Sequence, residues 1–192
     1  LEAIVNSDRA RRARLERIQA SLVNQRAGPE AYYRATEEIT GIMQEAIELI
    51  TTDTLAIFER AAIIGAPTYG SVGYRISDIA KKRPMLLRAA TLDALKQALL
   101  RTDEYSTYDY STAVADIGIA RKDLLSHAIG VLISAYGKTG SLNSRRRYYL
   151  LLRAIKIYDH YKGQLDASVL RGLSDTLDVY FKDLASPFSE RF

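Results

Sequence analysis

The 192-residue chain has no cysteine, no tryptophan and only two histidines. Without cysteine it has no disulfide, no thiol nucleophile and no cysteine-ligated zinc site. His127 and His160 lack the second histidine four residues away that an HExxH zinc motif requires. No serine lies in a GxSxG pattern. These absences argue against an enzyme, and the sequence predicts neither a cofactor nor a metal.

Long hydrophobic runs are also absent. No stretch approaches the roughly 20 apolar residues that a membrane-spanning helix needs, and the first residues lack the apolar centre of a signal peptide. Hydrophobic residues make up 47% of the chain and charged residues 26%, which is typical of a globular protein with a core of its own. The formal charge is only +4, so the distribution of charge matters more than its sum.

Apolar residues recur at helical spacing along most of the chain, and no segment has a convincing strand pattern, so the sequence predicts an all-α fold. We expect a basic helical N-terminal arm followed by an antiparallel helix bundle. The predicted regions are 1–65 for the arm, 66–83 for a connector with a short helix, and 84–192 for the bundle. The predicted helices cover residues 2–26, 29–50, 54–64, 74–82, 84–101, 112–137, 143–161 and 166–184, with a break or cap at 51–53 and loops at 65–73 and 103–110.

The most distinctive stretch is Asp8–Arg26, which is rich in arginine and has a single narrow apolar stripe at Leu15, Ile18 and Leu22. Such a charge run fits a solvated helix face. It also fits a phosphate-binding arm, because guanidinium groups match phosphate oxygens and stay ionised. Since the stripe is too narrow to anchor a helix firmly, we expect this arm to become ordered only in an assembly.

Two further basic clusters follow, one at the predicted break near Pro84 and one at the start of the 143–161 helix, where tyrosines adjoin the arginines. Arginine interleaved with tyrosine is typical of nucleic-acid binding. Three cations at a helix N-terminus oppose the helix dipole, which indicates a nearby anionic partner: the 103–110 segment, a neighbouring subunit or nucleic acid. The candidate nucleic-acid-binding residues are Arg9, Arg11, Arg12, Arg14, Arg17, Arg26, Lys81, Lys82, Arg83, Arg88, Arg145, Arg146 and Arg147.

The second helix contrasts with the first because it is acidic. Its predicted outward face holds Glu37, Glu38, Glu45, Glu48 and, on its continuation, Glu59. Its predicted buried face comprises Ile39, Ile42, Met43, Ala46 and Ile50. In the bundle, the predicted core includes Leu124, Ala128, Leu152, Ile155, Leu173 and Leu177.

Tyrosine is unusually common, with 13 residues against four phenylalanines. Many tyrosines lie in or beside the predicted connectors rather than in helical stripes. Exposed tyrosines are enriched in protein interfaces, so the composition favours assembly with other protein chains.

A basic helical N-terminal half, a C-terminal helical bundle and a cysteine-free composition rich in arginine and tyrosine together resemble one family. The chain looks like the major coat proteins of filamentous double-stranded DNA viruses of hyperthermophilic archaea. The resemblance implies a virion protein, assembled in the host cytoplasm, whose N-terminal helices wrap A-form DNA without sequence specificity. It implies partners that are copies of the chain or a paralogous coat protein; a membrane envelope is compatible with it but not indicated by the sequence. The acidic second helix departs from the basic inner surface that the family requires.

Two other classes remain open from sequence. A globin- or phycobiliprotein-like binding domain is all-α, but the chain has no cysteine for bilin attachment and only His127 as a candidate haem ligand. A helical adaptor or DNA-binding regulator requires a helix-turn-helix with a glycine-containing turn, and only GAPTYGSVG at residues 65–73 comes near it.

Overall fold

A computed structural model describes residues 2–23, 27–65, 72–101, 104–139 and 144–161, and the helical positions Arg171, Asp175 and Asp178. The fold is all-α as predicted, and this part of the chain contains no strand. None of the helices described there is long and apolar enough to cross a membrane. The helices are α1 (Glu2–Val23), α2 (Pro29–Glu45), α3 (Thr52–Ile64), α4 (Val72–Lys82), α5 (Ala89–Leu99), α6 (Glu104–Ala120), α7 (Leu125–Lys138) and α8 (Ser144–His160).

Helix boundaries in the first half follow from local chemistry. Pro29 occupies the first turn of α2, where its missing N–H costs nothing. The Thr51 hydroxyl caps α3 by accepting a hydrogen bond from the Thr54 N–H at 3.3 Å. Gly65 ends α3 in the left-handed region, at a φ of 68° that favours glycine. The chain also breaks at Arg83, as predicted, before a short 3₁₀ turn at Pro84–Leu86.

Two predicted boundaries in the second half are wrong. The described part of the predicted 103–110 loop is helical, because α6 begins at Glu104. Hydroxyl groups that weaken an isolated helix are satisfied within it: Ser111 and Thr112 both donate to the Tyr108 carbonyl. The predicted continuous 112–137 helix is interrupted after Ala120 by a 3₁₀ turn. There Arg121 donates to the carbonyls of Pro84 and Leu87, which fixes the break.

The hydrophobic core is continuous from Leu15 to Tyr161. The five predicted buried positions of the second helix are all buried, but α2 ends at Glu45, so Ala46 and Ile50 flank a 3₁₀ turn that interrupts the predicted 29–50 helix. In α8 the predicted register is wrong: Leu152 is 36% exposed and Ile155 is half-buried, whereas the buried apolar positions are Leu150, Leu151, Ala154 and Ile157. Of the other predicted core residues, Ala128 is buried, Leu124 is half-buried, and Leu173 and Leu177 lie outside the described residues.

Helices α4, α6 and α8 lie side by side and run in the same direction. The contacts that establish this join Tyr108 to Tyr74 and Tyr149 at one end, and Asp116 to Ser77 and Lys156 further along. The predicted antiparallel bundle at residues 84–192 is therefore not confirmed for α6 and α8, and α4 lies in the predicted connector. The α4 helix buries Val72, Ile76, Ile79 and Ala80 in the common core. The division of the chain at residues 65 and 83 stays a prediction.

Candidate nucleic-acid interface

Helix α1 packs on the rest of the molecule through its predicted apolar stripe. Leu15, Ile18 and Leu22 are each less than 10% exposed and belong to the common core. Gln19 adds a side-chain hydrogen bond to the Thr54 hydroxyl of α3 at 3.3 Å. We expected this stripe to be too narrow to anchor α1. Among the described residues, α1 instead packs on the rest of the chain through the stripe.

Two arginines of α1 form ion pairs with the acidic helix α2. Arg11 donates to Glu45 Oε2 from two guanidinium nitrogens, at 3.1 and 2.7 Å, and to Asp8 at 3.0 Å. Arg14 donates to Glu38 at 3.1 Å. The hydrogen bond to Glu45 raises the pKa of Arg11 above its usual value. Glu38 and Glu45 therefore face the arginine-rich helix rather than only solvent, which sequence reasoning missed.

Other arginines of α1 remain available to a partner. Arg9 and Arg12 are exposed and have no hydrogen-bond or ion-pair partner among the described residues. Arg17 is also exposed, and its Nε donates only to the Ala13 carbonyl of its own helix. Arg9 and Arg12 are three residues apart, so their side chains are neighbours on one helix face. Arg26 lies outside the described residues.

A surface groove of about 660 Å³ runs between α1 and α2. Its charged lining is mixed rather than basic, because three arginines of α1 face three glutamates of α2: Arg11, Arg14, Arg17, Glu37, Glu38 and Glu45. Exposed ion pairs of this kind contribute little to stability and weaken with salt. A polyanion can therefore compete with these carboxylates for the arginines.

The second basic cluster does not form one cationic surface. Lys81 pairs with Asp116 at 3.2 Å, and Arg83 donates to the Glu48 carbonyl. Arg88 pairs at 3.2 Å with Glu59, which is 8% exposed and not on an outward face as predicted. Lys82 is exposed and has no ion-pair partner in the part of the chain that the structure describes.

Asp116 is a buried carboxylate that sequence reasoning missed. It is 5% exposed and accepts hydrogen bonds from Ser77 at 2.5 Å and Lys156 at 2.7 Å, with Lys81 beyond them. Burial alone would raise the pKa of Asp116, but the hydrogen bonds from Lys156 and Ser77 lower it below its usual value. One available signal was that Asp116 is the only charged residue in the apolar run STAVADIGIA.

In the third basic cluster, at the start of α8, Arg146 and Arg147 bind groups of neighbouring helices. Arg146 donates to the Thr107 hydroxyl at 3.1 Å and to the Leu99 carbonyl at 2.8 Å. Arg147 donates to the Thr139 carbonyl at 3.0 Å, and its guanidinium lies 5.1 Å from the centre of the Tyr136 ring. Arg145 is exposed. These contacts tie α8 to α5, α6 and α7.

Each of the two histidines contacts one neighbouring side chain, Asp93 for His127 and Tyr161 for His160. His127 Nε2 lies 3.0 Å from Asp93 Oδ1 in a partly exposed pair at the surface, and the His160 ring packs edge-on against Tyr161. Among the described residues, no group of three or more histidine, aspartate or glutamate side chains is arranged to hold a metal ion.

Comparisons of the chain with protein-family models, curated proteins and solved structures find no match. Its function must therefore be inferred from the chemistry and geometry of its own residues.

Proposed function

We propose that this chain is a structural protein that binds duplex nucleic acid through its phosphates, without sequence specificity. The observation that carries the proposal is the pair Arg9 and Arg12, exposed on α1 and without partners among the described residues. Guanidinium groups bind phosphate oxygens in bidentate fashion, and phosphate contacts carry no base information.

The dimensions of α1 suit a groove or backbone of a duplex. Its 22 residues span about 33 Å at 1.5 Å per residue, close to one turn of a DNA helix. Because Leu15, Ile18 and Leu22 hold α1 in the core, the exposed Arg9 and Arg12 are presented from a supported helix. Supported side chains lose less entropy when they bind.

A role as a coat subunit is the specific form of this proposal. In that form, copies of the chain, alone or with a paralogous coat protein, assemble helically on double-stranded DNA in a virion. The exposed tyrosines supply contact area between subunits. The resemblance to coat proteins of filamentous viruses of hyperthermophilic archaea motivates this form, and the arginines of α1 support it.

The test is the salt dependence of duplex binding. In the Arg9→Gln/Arg12→Gln variant, affinity should fall on all duplex sequences alike. The log–log slope against salt should become shallower by about 0.9 for each phosphate that the variant no longer neutralises. Fluorescence anisotropy with two labelled duplexes of unrelated sequence, over a series of salt concentrations, measures both quantities.

The matched control removes two arginines elsewhere. Arg34 pairs with Glu30 on α2, and Arg60 is an exposed residue of α3. The Arg34→Gln/Arg60→Gln variant has the same net charge as the test variant and should keep most of the slope. Equal decreases in both variants would mean that net charge, not α1, attracts the duplex, and would sink the proposal.

A further inference from the structure

Four tyrosines from three helices form a continuous aromatic cluster, here called the tyrosine cluster. The Tyr108 ring lies 6.5 Å from Tyr74 and 5.2 Å from Tyr149, measured between centroids. Tyr148 continues the series at 5.9 Å from Tyr149. The two ends of the cluster are open, because Tyr74 is 45% exposed and Tyr148 is 47% exposed. Two aromatic rings are therefore available to a partner on a surface made by α4, α6 and α8.

The backbone fixes this arrangement. A Cβ atom on Gly73 would lie 2.6 Å from the carbonyl carbon of Asp109, so α4 and α6 approach each other backbone to backbone at this point. Tyr74 directly follows Gly73, and Tyr108 directly precedes Asp109. The close approach of the two backbones therefore places Tyr74 beside Tyr108. Rigid aromatic side chains on packed helices bind at low entropic cost.

Arg153 gives the cluster a buried positive charge. Its guanidinium lies 4.5 Å from the centroid of the Tyr108 ring, and the residue is 9% exposed. Its Nε is buried without an acceptor, and none of the described carboxylates pairs with it. A buried cation that has an aromatic ring but no anion beside it is costly, so this position favours an anion brought by a ligand.

We propose that the tyrosine cluster and Arg153 form a binding site for single-stranded nucleic acid. Unpaired bases stack on the exposed rings of Tyr74 and Tyr148, and a backbone phosphate compensates Arg153. Aromatic rings beside a cation are the combination that single-stranded nucleic acids require, because every base presents a flat face next to a charged backbone. The arginine-rich start of α8 adds to the positive field. In a duplex the base faces are stacked on each other, so this site goes beyond the duplex binding proposed for α1.

The test compares two oligonucleotides of equal length, oligothymidylate and an abasic strand, by fluorescence anisotropy with the full chain. The full chain should bind oligothymidylate roughly ten-fold more tightly, since stacking is impossible without bases. The Tyr74→Leu/Tyr148→Leu variant should lose this difference, and the Tyr74→Phe/Tyr148→Phe variant should keep it. The matched control is Tyr158→Leu, because Tyr158 is an exposed tyrosine of the same helix α8 outside the cluster.

Equal binding of the abasic strand by the full chain would overturn the proposal. A leucine variant that keeps full base-dependent binding would overturn it as well. If the leucine variant instead changes only self-association of the chain, the cluster is a protein interface and the proposal is wrong. Because both substituted tyrosines are half-exposed, these variants should fold.

The duplex proposal can fail separately. The Arg9→Gln/Arg12→Gln variant should weaken duplex binding and leave the preference for oligothymidylate over the abasic strand intact. Loss of that preference in this variant, with both tyrosines present, would assign single-strand binding to α1 rather than to the tyrosine cluster.

Discussion

At the scale of single residues, Asp116 shows how one buried carboxylate connects three helices. It lies on α6 and joins Ser77 of α4 to Lys156 of α8. The ammonium groups of its lysine partners stay partly hydrated, because the Lys81 side chain is 58% exposed and that of Lys156 is 44% exposed. The buried charge is therefore compensated without burying two more charges, which reduces the desolvation cost of the cluster.

The lowered pKa of Asp116 predicts an acid-dependent contribution to stability. The folded chain binds this proton more weakly than the unfolded chain, so acid favours unfolding. The contribution is present above the usual carboxyl pKa of 3.8 and is lost as pH falls through the lower folded value. Asp116→Asn should lower the free energy of unfolding by roughly 1.5–3 kcal/mol at pH 7, since the variant cannot form the charge-assisted hydrogen bonds. Urea denaturation at several pH values should show this decrease shrinking below about pH 4.

The control for Asp116 makes the same substitution at an exposed site. Asp159 is an exposed residue of α8, and Asp159→Asn should change the free energy of unfolding by less than about 0.5 kcal/mol. A destabilisation by Asp116→Asn that stays constant far below the usual carboxyl pKa would show that the residue stabilises through packing or neutral hydrogen bonds instead.

At the scale of helices, periodicity predicted those elements whose apolar residues have a clear phase. The α2 face was predictable because Ile39, Ile42 and Met43 repeat at helical spacing. The phase of α8 was not predictable from Leu150–Leu152, because three successive leucines fit more than one face. The interruption at Arg121 depends on carbonyl groups of residues 84 and 87, and such distant contacts leave no local signal.

The candidate site was predictable in composition but not in pairing. The sequence revealed a basic first helix and an acidic second helix. Their ion pairs join residues 24 and 34 positions apart, and single-sequence patterns do not report such contacts. That Arg9 and Arg12 have no partner among the described residues likewise depends on which face of α1 packs inward. Sequence therefore identified the cations, and the fold separated the engaged ones from those available to a partner.

The α1–α2 ion pairs should limit nucleic-acid binding. In the free chain, Glu45 forms an ion pair with Arg11, and Glu38 forms one with Arg14. In the Glu38→Gln/Glu45→Gln variant, both arginines lose their ion-pair partners on α2, so duplex affinity should rise and its salt slope should steepen by up to about 0.9 for each additional phosphate neutralised. Anisotropy titrations over a salt series measure this change.

A charge-matched variant elsewhere in the molecule controls for net charge. Asp93 of α5 and Asp159 of α8 are exposed and do not line the groove between α1 and α2. Asp93→Asn combined with Asp159→Asn removes two negative charges and leaves both α1–α2 ion pairs in place. If this control raises affinity and slope as much as Glu38→Gln/Glu45→Gln, the ion pairs do not restrain the arginines.

At the scale of the whole molecule, the described chain combines a supported basic helix with a core that extends from Leu15 to Tyr161. A coat on a duplex needs the same contact repeated by every subunit along the nucleic acid. Head-to-tail contacts that do not close into a ring generate helical filaments, so identical subunits that each cover about one turn suit such an assembly. Assembly would place Arg9 and Arg12 of successive subunits along the phosphates at regular intervals.

The last prediction is that purified protein and linear duplex DNA form filaments whose length follows the length of the DNA. Electron microscopy with two DNA lengths measures this, and protein without DNA should form none under the same conditions. The Arg9→Gln/Arg12→Gln variant should form fewer filaments, because each subunit then neutralises fewer phosphates, whereas Arg34→Gln/Arg60→Gln should assemble normally. Filaments of one length regardless of the DNA would show that protein contacts alone set the assembly. Saturable duplex binding without any filament would leave a duplex-binding protein that is not a coat subunit.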